Sequence, residues 1–225
     1  MLQVFYGGTF DPVHNGHLAI ACAARDAFGV PVRLMPAADP PHRAVPGATA
    51  TQRAHLLDLA VEHVPGLCVD RRELLRAQRD PGGRSYTIDT LRELRADLGE
   101  AVPLALLIGA DSLRGLPTWR AWETLFELAH FIVADRPGSG LDAGLTPVLA
   151  AMLEGRWTAR PDDLHRAPAG RVFRLNQPLQ PESATEIRRR IAADGPWRQL
   201  VPSAVADAIA DERLYLSRVA DAGPL

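Results

Sequence analysis

The order of apolar and polar positions divides the chain into alternating strands and helices. Short apolar runs predict strands at residues 2–6, 30–35, 67–70, 102–108, 131–134 and 172–175. Apolar residues three and four positions apart predict helices within residues 15–24, 51–64, 86–98, 119–128, 148–153, 182–192 and 202–216. The run at 102–108 is almost wholly apolar, which is typical of a strand buried on both faces of a parallel sheet. This alternation predicts an α/β fold with a doubly wound, mainly parallel sheet.

We predict a single domain with a small helical end. The 225 residues suit one α/β domain, and no linker or internal repeat divides them. The α/β core is predicted at residues 1–180 and a C-terminal helical extension at residues 181–225. Prolines and glycines predict loops at residues 39–43 and 78–84, and residues 139–168 are predicted as loops around one short helix.

Composition excludes several function classes. The net charge of −2 gives no electrostatic case for binding nucleic acid or a membrane surface. No apolar run approaches the ~20 residues of a transmembrane helix and no leader precedes the first strand, so we expect a cytoplasmic protein. All 25 basic residues are arginine, and the absence of lysine excludes a Walker A loop and Schiff-base chemistry. Phosphate charge would be met by arginine, histidine and backbone N–H groups.

The first predicted strand is followed by a turn and a helix start that suit an anion. Gly7 and Gly8 predict a sharp turn, and Asp11-Pro12 predicts a second one. Asn15 is a suitable N-cap for the helix that follows. Backbone N–H groups are exposed at a helix start, and the helix dipole favours negative charge there. The stretch therefore predicts a phosphate site.

Two histidines lie at this helix start. His14 and His17 are three positions apart, so both side chains can face one point. Such a pair fits the phosphates of a nucleotide, but it could also hold a metal ion or be solvated without a role. The residues alone leave these alternatives open.

A second helix start carries hydroxyl groups and an arginine. Ser183 and Glu186 match the Ser-x-x-Glu capping box, and Arg188 follows one turn into the helix. The plain interpretation is a helix cap. A capped helix end is still an anion site, so the two uses are compatible.

Together these segments resemble the two signatures of the nucleotidylyltransferase superfamily. Residues 7–18, Gly-Gly-Thr-Phe-Asp-Pro-Val-His-Asn-Gly-His-Leu, are similar to the first signature, whose core is His-x-Gly-His. Residues 183–188 are similar to the second signature, although Glu182 stands where isoleucine is usual. The resemblance implies a Rossmann-like nucleotidylyltransferase fold in which both segments bind ATP. It implies catalytic roles for His14, His17 and Arg188, and ATP binding by these three and by Gly7, Gly8, Thr9, Phe10, Gly109, Asp111, Ser183 and Thr185.

Further motifs narrow the resemblance to the bacterial nicotinate-nucleotide adenylyltransferases. Along the chain these are Pro40-Pro41-His42-Arg43, Ser85-Tyr86-Thr87, Gly109-x-Asp111-Ser112, Pro117-Thr118-Trp119 and Arg136-Pro137-Gly138. The resemblance implies that Trp119 stacks on the pyridine ring of nicotinate mononucleotide. The loop at residues 85–87 and the backbone N–H of Arg120 would receive the carboxylate, and Arg136 would help to hold phosphate. The implied nicotinate mononucleotide site is Thr9, His42, Arg43, Ser85, Tyr86, Thr87, Trp119, Arg120 and Arg136.

The implied reaction joins ATP and nicotinate mononucleotide to give deamido-NAD and pyrophosphate, a step of NAD biosynthesis. No nucleophile is paired with a base, so we expect catalysis by positioning and charge stabilisation. Mg²⁺ is expected to arrive with ATP rather than in a metal site of the protein. We expect a monomer or a homo-oligomer. Two alternatives stay open: a related adenylyltransferase for nicotinamide mononucleotide or phosphopantetheine, and a regulatory module that binds nucleotides without chemistry.

Overall fold

The computed structural model describes residues 1–38, 47–80, 85–135, 144–177 and 183–216. The strands of this part of the chain are β1 (Gln3–Gly8), β2 (Val32–Pro36), β3 (Leu67–Val69), β4 (Leu104–Gly109), β5 (His130–Ala134), β6 (Trp157–Thr158) and β7 (Val172–Leu175). They form one sheet in the order β3-β2-β1-β4-β5-β7-β6, and every neighbouring pair is parallel. The predicted α/β class with a doubly wound parallel sheet is confirmed.

Helices cover both faces of the sheet. They are α1 (Asn15–Phe28), α2 (Ala50–Val61), α3 (Arg72–Arg79), α4 (Thr87–Leu98), α5 (Ala110–Arg114), α6 (Trp122–Leu128), α7 (Pro147–Leu153), α8 (Asp162–Arg166), α9 (Ala184–Ala192) and α10 (Ser203–Asp211), with 3₁₀ turns at Leu116–Thr118 and Arg198–Leu200. Within the described ranges, no helix is both long and apolar enough to cross a membrane.

Alternate residues of the central strand face two halves of the core. Val4 and Tyr6 of β1 pack with α1, α2, α9 and α10, whereas Phe5 packs with α4, α5, α6 and α7 on the opposite face. Both faces of β1 are thus covered, which explains why its sequence is an apolar run rather than an alternation. The C-terminal helices share a core with the first strand, and the boundary predicted at residue 180 stays a prediction.

The order of the strands reverses beside β1. The chain runs outward from β1 to β2 and β3, and then crosses to β4 on the other side of β1. In open α/β sheets such a switch point leaves a crevice at the carboxyl ends of the two strands. Gly8 and Gly109 end β1 and β4 at this crevice. The fold therefore puts the first signature where ligands bind.

Three predicted regions are corrected by the structure. Helix α3 was not predicted, and Gln78 and Arg79, predicted in a loop, lie in its last turn. Residues 139–168 contain α7 as predicted but also β6 and α8. The last helix ends at Asp211 rather than near residue 216. Elements this short are stabilised by tertiary packing more than by local propensity, so their sequence signal is weak.

Candidate functional site

Phe10, rather than the two glycines, makes the turn after β1. Gly7 and Gly8 are the last residues of the strand, so the prediction that they form the turn is wrong. Phe10 adopts a left-handed conformation with φ 50°, which is strained for a bulky side chain. Gly8 is required for another reason, because a Cβ atom there would lie 2.9 Å from the Phe10 ring. The missing side chain lets this ring close over the end of the strand.

His14, not Asn15, is the N-cap of α1, so the predicted cap is wrong. The Asn15 side chain instead donates a hydrogen bond to the carbonyl of Gln199, 3.0 Å away. Nδ1 of His17 accepts a hydrogen bond from the backbone N–H of His14 at 3.3 Å. A neutral imidazole that accepts at Nδ1 carries its proton on Nε2. His17 is therefore oriented to donate from Nε2.

The two histidine rings lie together, as their spacing predicts. Their centroids are 3.7 Å apart with an interplanar angle of 29°, and the Phe10 ring meets His17 edge-on at 5.0 Å. His14 is buried at 3 % exposure. Aromatic contacts of this kind restrict ring rotation, so the imidazoles are preorganised before a ligand arrives.

The second signature forms the start of α9. Ser183 is the N-cap, and its hydroxyl accepts a hydrogen bond from the Glu186 N–H at 3.2 Å. The Glu186 carboxylate pairs instead with Arg189 at 2.7 Å and Arg190 at 2.8 Å, and these hydrogen bonds lower the pKa of Glu186 to about 2. Thr185 lies in the first turn beside Ser183. The predicted capping box is therefore half formed, since the serine caps the helix while the glutamate binds arginines.

Arg188 connects the two signatures. Its Nη1 donates to the backbone carbonyl of Asp11 at 2.5 Å and lies 3.5 Å from Oδ2 of the same residue. The contact joins residues 177 positions apart. The Arg188 side chain is 34 % exposed, and a guanidinium has five N–H donors, more than this contact uses. Arg188 can thus bind Asp11 and an anion together.

Asp11 is a site residue that sequence reasoning missed. Its buried carboxylate accepts hydrogen bonds from the N–H groups of Gly47 at 2.8 Å and Ala48 at 3.1 Å, and from the Tyr215 hydroxyl at 2.9 Å. With Arg188, these donors offset a negative charge that would otherwise be costly to bury. The Asp-Pro pair was interpreted only as a turn. The available signal was its charge, because an acidic residue within a segment predicted to bind phosphate needs hydrogen-bond donors of its own.

Arg53 is a second buried charge at this site. It lies inside α2, fully buried, and donates to the carbonyls of Thr9 at 2.6 Å, Ala38 at 3.1 Å and Ala48 at 3.3 Å. Its guanidinium therefore connects the first signature to α2 and the end of β2. The sequence offered no signal for this role, because arginine in a surface helix is ordinarily solvated.

A cavity of about 330 Å³ opens at the carboxyl ends of β1 and β4. Predicted site residues that line it are Gly7, Gly8, Thr9, Ser85, Tyr86, Thr87, Asp111, Trp119 and Arg120. Gly109 ends β4 just before it, and the Asp111 carboxylate pairs with Arg114 at 2.5 Å. The structure thus brings residues that follow β1 and β4 to one cavity of ligand size at the carboxyl edge of the sheet.

Residues 85–87 are held in place from α3. The Ser85 hydroxyl donates to Glu73 at 2.7 Å and accepts from Arg76 at 3.0 Å, and the Thr90 hydroxyl makes the same pair of contacts at 2.9 and 2.7 Å. A hydroxyl has one proton, and Ser85 donates it to Glu73, so it is not available to a ligand. Glu73 also lines the cavity. Sequence reasoning missed it because α3 was not predicted.

Trp119 and Arg120 also line the cavity. Trp119 is half-buried against the core on the α4–α7 side of the sheet. The Arg120 guanidinium lies over the Tyr86 ring, 5.0 Å from its centroid, as in a cation–π contact. A flat aromatic surface and a positive charge therefore border the same cavity, which suits an aromatic anion.

His42, Arg43 and Arg136 were also predicted in the nicotinate mononucleotide site, and they lie outside the described residues. Among the residues that are described, no three His, Cys, Asp or Glu side chains form a group that could hold a metal ion.

A model of the cytidylyltransferase-like family matches residues 5–190, so the chain belongs to this family of nucleotidyl-transferring proteins. Its relatives are nicotinate-nucleotide adenylyltransferases, which confirms the narrower resemblance. The probable nicotinate-nucleotide adenylyltransferase of Stenotrophomonas maltophilia (strain K279a) is 61 % identical over 216 residues, 96 % of this chain and 97 % of that protein. The protein of the same name from Xylella fastidiosa (strain 9a5c) is 46 % identical over 214 residues, 95 % of this chain and 96 % of that protein.

Solved structures agree on the fold. Plasmodium falciparum nicotinic acid mononucleotide adenylyltransferase complexed with NaAD superposes with a TM-score of 0.72, covering 95 % of this chain and 97 % of that chain. The identity is 13 %, so this likeness supports the architecture and not the details of the site.

Proposed function

We propose that this chain transfers the adenylyl group of ATP to the 5′-phosphate of nicotinate mononucleotide, giving deamido-NAD and pyrophosphate. The contact between Arg188 and Asp11 carries the proposal, because it joins the two ATP signatures within a few residues of the cavity. Trp119 on the cavity wall offers a surface for a pyridine ring. Relatives with 61 % and 46 % identity bear the name of this activity.

The chemistry needs positioning more than proton transfer. An oxygen of the acceptor phosphate attacks the α-phosphorus of ATP, the bond from that phosphorus to the oxygen bridging to the β-phosphate breaks, and pyrophosphate leaves with the electron pair. The attacking phosphate is already anionic near neutral pH, so a general base is unnecessary. The rate would come from alignment and from donors aimed at the charge that develops.

Each signature has a role in this step. His17 would donate from Nε2 to the α- and β-phosphate oxygens, with the stacked His14 ring beside it. Arg188 and the first turn of α9, with Ser183 and Thr185, would hold the departing pyrophosphate. Mg²⁺ would come bound to ATP and keep most of its water ligands. The proposal includes a cytoplasmic location and either a monomer or a homo-oligomer.

The decisive experiment measures pyrophosphate release with ATP, Mg²⁺ and one acceptor at a time. The acceptors are nicotinate mononucleotide, nicotinamide mononucleotide and 4′-phosphopantetheine, with an acceptor-free blank. We expect release chiefly with nicotinate mononucleotide. Dominant release with another acceptor would assign the chain to that substrate, and ATP binding without release from any acceptor would support a regulatory module.

A further inference from the structure

The chain after α10 returns to the first signature. Arg213 and Tyr215 adopt left-handed conformations, with φ 53° and 62°, which are uncommon for residues with side chains. Leu214 between them is buried in the core that contains β1 and α9. Arg213 and Tyr215 thus hold a strained backbone on either side of the buried Leu214, and strain of this kind persists only where surrounding contacts enforce it.

The Tyr215 side chain ends on the carboxylate of Asp11. Its hydroxyl donates to Oδ1 at 2.9 Å, and burial together with the neighbouring Asp11 charge raises the pKa of Tyr215 above its usual range. The hydroxyl therefore stays protonated and keeps donating. A Cβ atom at Gly47 would lie 2.8 Å from the Tyr215 ring and 3.3 Å from Cδ of Arg188. The tyrosine ring and the arginine stem consequently border the same glycine.

The two carboxylate oxygens of Asp11 have different hydrogen-bond partners. Oδ1 accepts from Tyr215 and from the N–H of Ala48, while Oδ2 accepts from the N–H of Gly47 and lies 3.5 Å from Nη1 of Arg188. Any rotation of the carboxylate that follows loss of the tyrosine hydroxyl also moves Oδ2. The contact to Arg188 would change with it.

We propose that Tyr215 is a positioning residue for adenylyl transfer, which acts by fixing the Asp11 carboxylate and, through it, the guanidinium of Arg188. The inference rests on the proposed function, because it takes Arg188 to be the group that binds the phosphates of ATP. Tyr215 itself touches no substrate in this scheme. Its effect appears in the rate of transfer and in ATP binding, not in the pyridine pocket.

The test compares Tyr215→Phe, which removes only the hydroxyl, with Glu212→Gln as a matched control. Glu212 lies in the same segment and accepts a hydrogen bond from Gln52 of α2 at 3.1 Å, away from Asp11. We expect Tyr215→Phe to lower kcat/KM for ATP by about 10- to 20-fold, the lower end of the range for one hydrogen bond to a charged group. KM for nicotinate mononucleotide should stay unchanged, and Glu212→Gln should match the wild type.

A double-mutant cycle separates positioning from simple destabilisation. In an Arg188→Ala background, Tyr215→Phe should change the residual kcat/KM by less than about twofold, because residues that act through one another are non-additive. Full multiplication of the two losses would overturn the proposal. So would a Tyr215→Phe enzyme that equals the wild type, or one whose loss is shared by Glu212→Gln.

Gly47→Ala gives a second route to the same answer if Tyr215→Phe folds poorly. The added methyl group would displace the Tyr215 ring and the Arg188 stem together, so the same loss in kcat/KM for ATP is expected. An unaffected Gly47→Ala enzyme would count against the inference. A wild-type chain that releases no pyrophosphate from any acceptor would instead refute the proposed function, and this inference would fall with it.

Discussion

The hydrogen bond that His17 accepts at Nδ1 decides which of its nitrogens can reach a phosphate. Because Nε2 is left as the donor, His17→Ala would remove the hydrogen bond that we propose stabilises charge developing in the transition state. We expect kcat to fall by ~10²–10³-fold with a much smaller change in ATP binding. Steady-state kinetics and calorimetric titration of a non-hydrolysable ATP analogue measure the two effects.

A matched histidine provides the control for His17. His55 lies exposed on α2, so His55→Ala should leave kcat unchanged. A His17→Ala enzyme that retains more than about a third of the wild-type kcat would be incompatible with a donor of this kind.

Arg188 should depend on the shape of its side chain as well as on its charge. A guanidinium can bind Asp11 and a phosphate with a rigid fork of donors, whereas an ammonium is a point charge. We expect Arg188→Ala to lower kcat/KM for ATP by about 10- to 100-fold and Arg188→Lys to recover only part of the loss. Arg189→Ala is the control, since Arg189 is largely exposed and pairs with Glu186. Equal kcat/KM for ATP in the wild type, Arg188→Ala and Arg188→Lys would show that the start of α9 is a helix cap and does not bind the phosphates of ATP.

Residues with a recognisable spacing could be predicted, and buried charges could not. The histidine pair and Arg188 followed from short patterns in the sequence. Asp11, Arg53 and Glu73 act by being buried among donors and acceptors from distant elements. Burial of a charged residue is the exception among proteins, so a sequence pattern favours the solvated interpretation. Their roles become visible only when the partners are in place.

At the scale of elements, long amphipathic segments were predictable and short ones were not. α2 and α4 have apolar residues at helical spacing, and β7 was predicted with its observed ends. In α3 the buried residues are Glu73 and Leu74, so one of the two positions that define its inner face is a carboxylate. Apolar residues at helical spacing cannot reveal such a helix, because its inner face is held by hydrogen bonds from Ser85 and Thr90 to Glu73.

The start of β5 gives the chain a pH-dependent element. His130 is fully buried, donates from Nε2 to the Ala167 carbonyl at 2.8 Å and accepts at Nδ1 from the Arg171 N–H at 2.9 Å. Burial lowers the pKa of His130 below its ordinary value of 6.5. Below pH 6.5 the folded chain binds fewer protons than the unfolded chain. The contribution of neutral His130 to the free energy of unfolding is therefore complete above pH 6.5 and is lost as the pH falls toward the lowered pKa.

Urea unfolding at a series of pH values tests this element. The free energy of unfolding should decrease from about pH 7.5 to about pH 5, and His130→Asn should show a smaller decrease because its side chain does not titrate. The slope with pH is the readout, so a general loss of stability in the variant does not obscure it. His55→Asn, exposed on α2, should keep the wild-type slope. Identical slopes for wild type and His130→Asn would assign the acid sensitivity to other groups.

At the scale of the whole molecule, the doubly wound sheet explains why a site scattered along the sequence forms one cavity. The end of β1, the start of α4 and the residues around Trp119 meet because β4 lies beside β1. The alternating pattern predicted this class of sheet, and the motifs predicted most of the cavity wall. The order of β7 and β6 beyond β5 was not predictable, since a two-residue strand such as β6 leaves no pattern.

This assembled cavity should decide which mononucleotide the enzyme converts. Stacking on Trp119 cannot separate nicotinate from nicotinamide, because both rings present the same face. Discrimination must come from groups that meet the ring substituent. The Arg120 guanidinium lies over Tyr86 at the cavity, and backbone N–H groups can bind both oxygens of a carboxylate. The amide of nicotinamide would place its own N–H donors opposite one of those N–H groups, so that donor faces donor. Leaving such a group unpaired in a partly dry site predicts a preference for the acid of at least ~10²-fold in kcat/KM.

Trp119→Ala separates ring binding from this choice. The variant should raise KM for both mononucleotides while their kcat/KM ratio stays nearly unchanged, because the substituent still meets the same donors. Trp157→Ala is the matched control, since Trp157 is 37 % exposed on β6 and outside the cavity wall. Pyrophosphate release measured with each acceptor gives both quantities. Comparable kcat/KM for the two mononucleotides in the wild type would mean dual specificity, and a ratio that collapses in Trp119→Ala would show that the indole ring makes the choice.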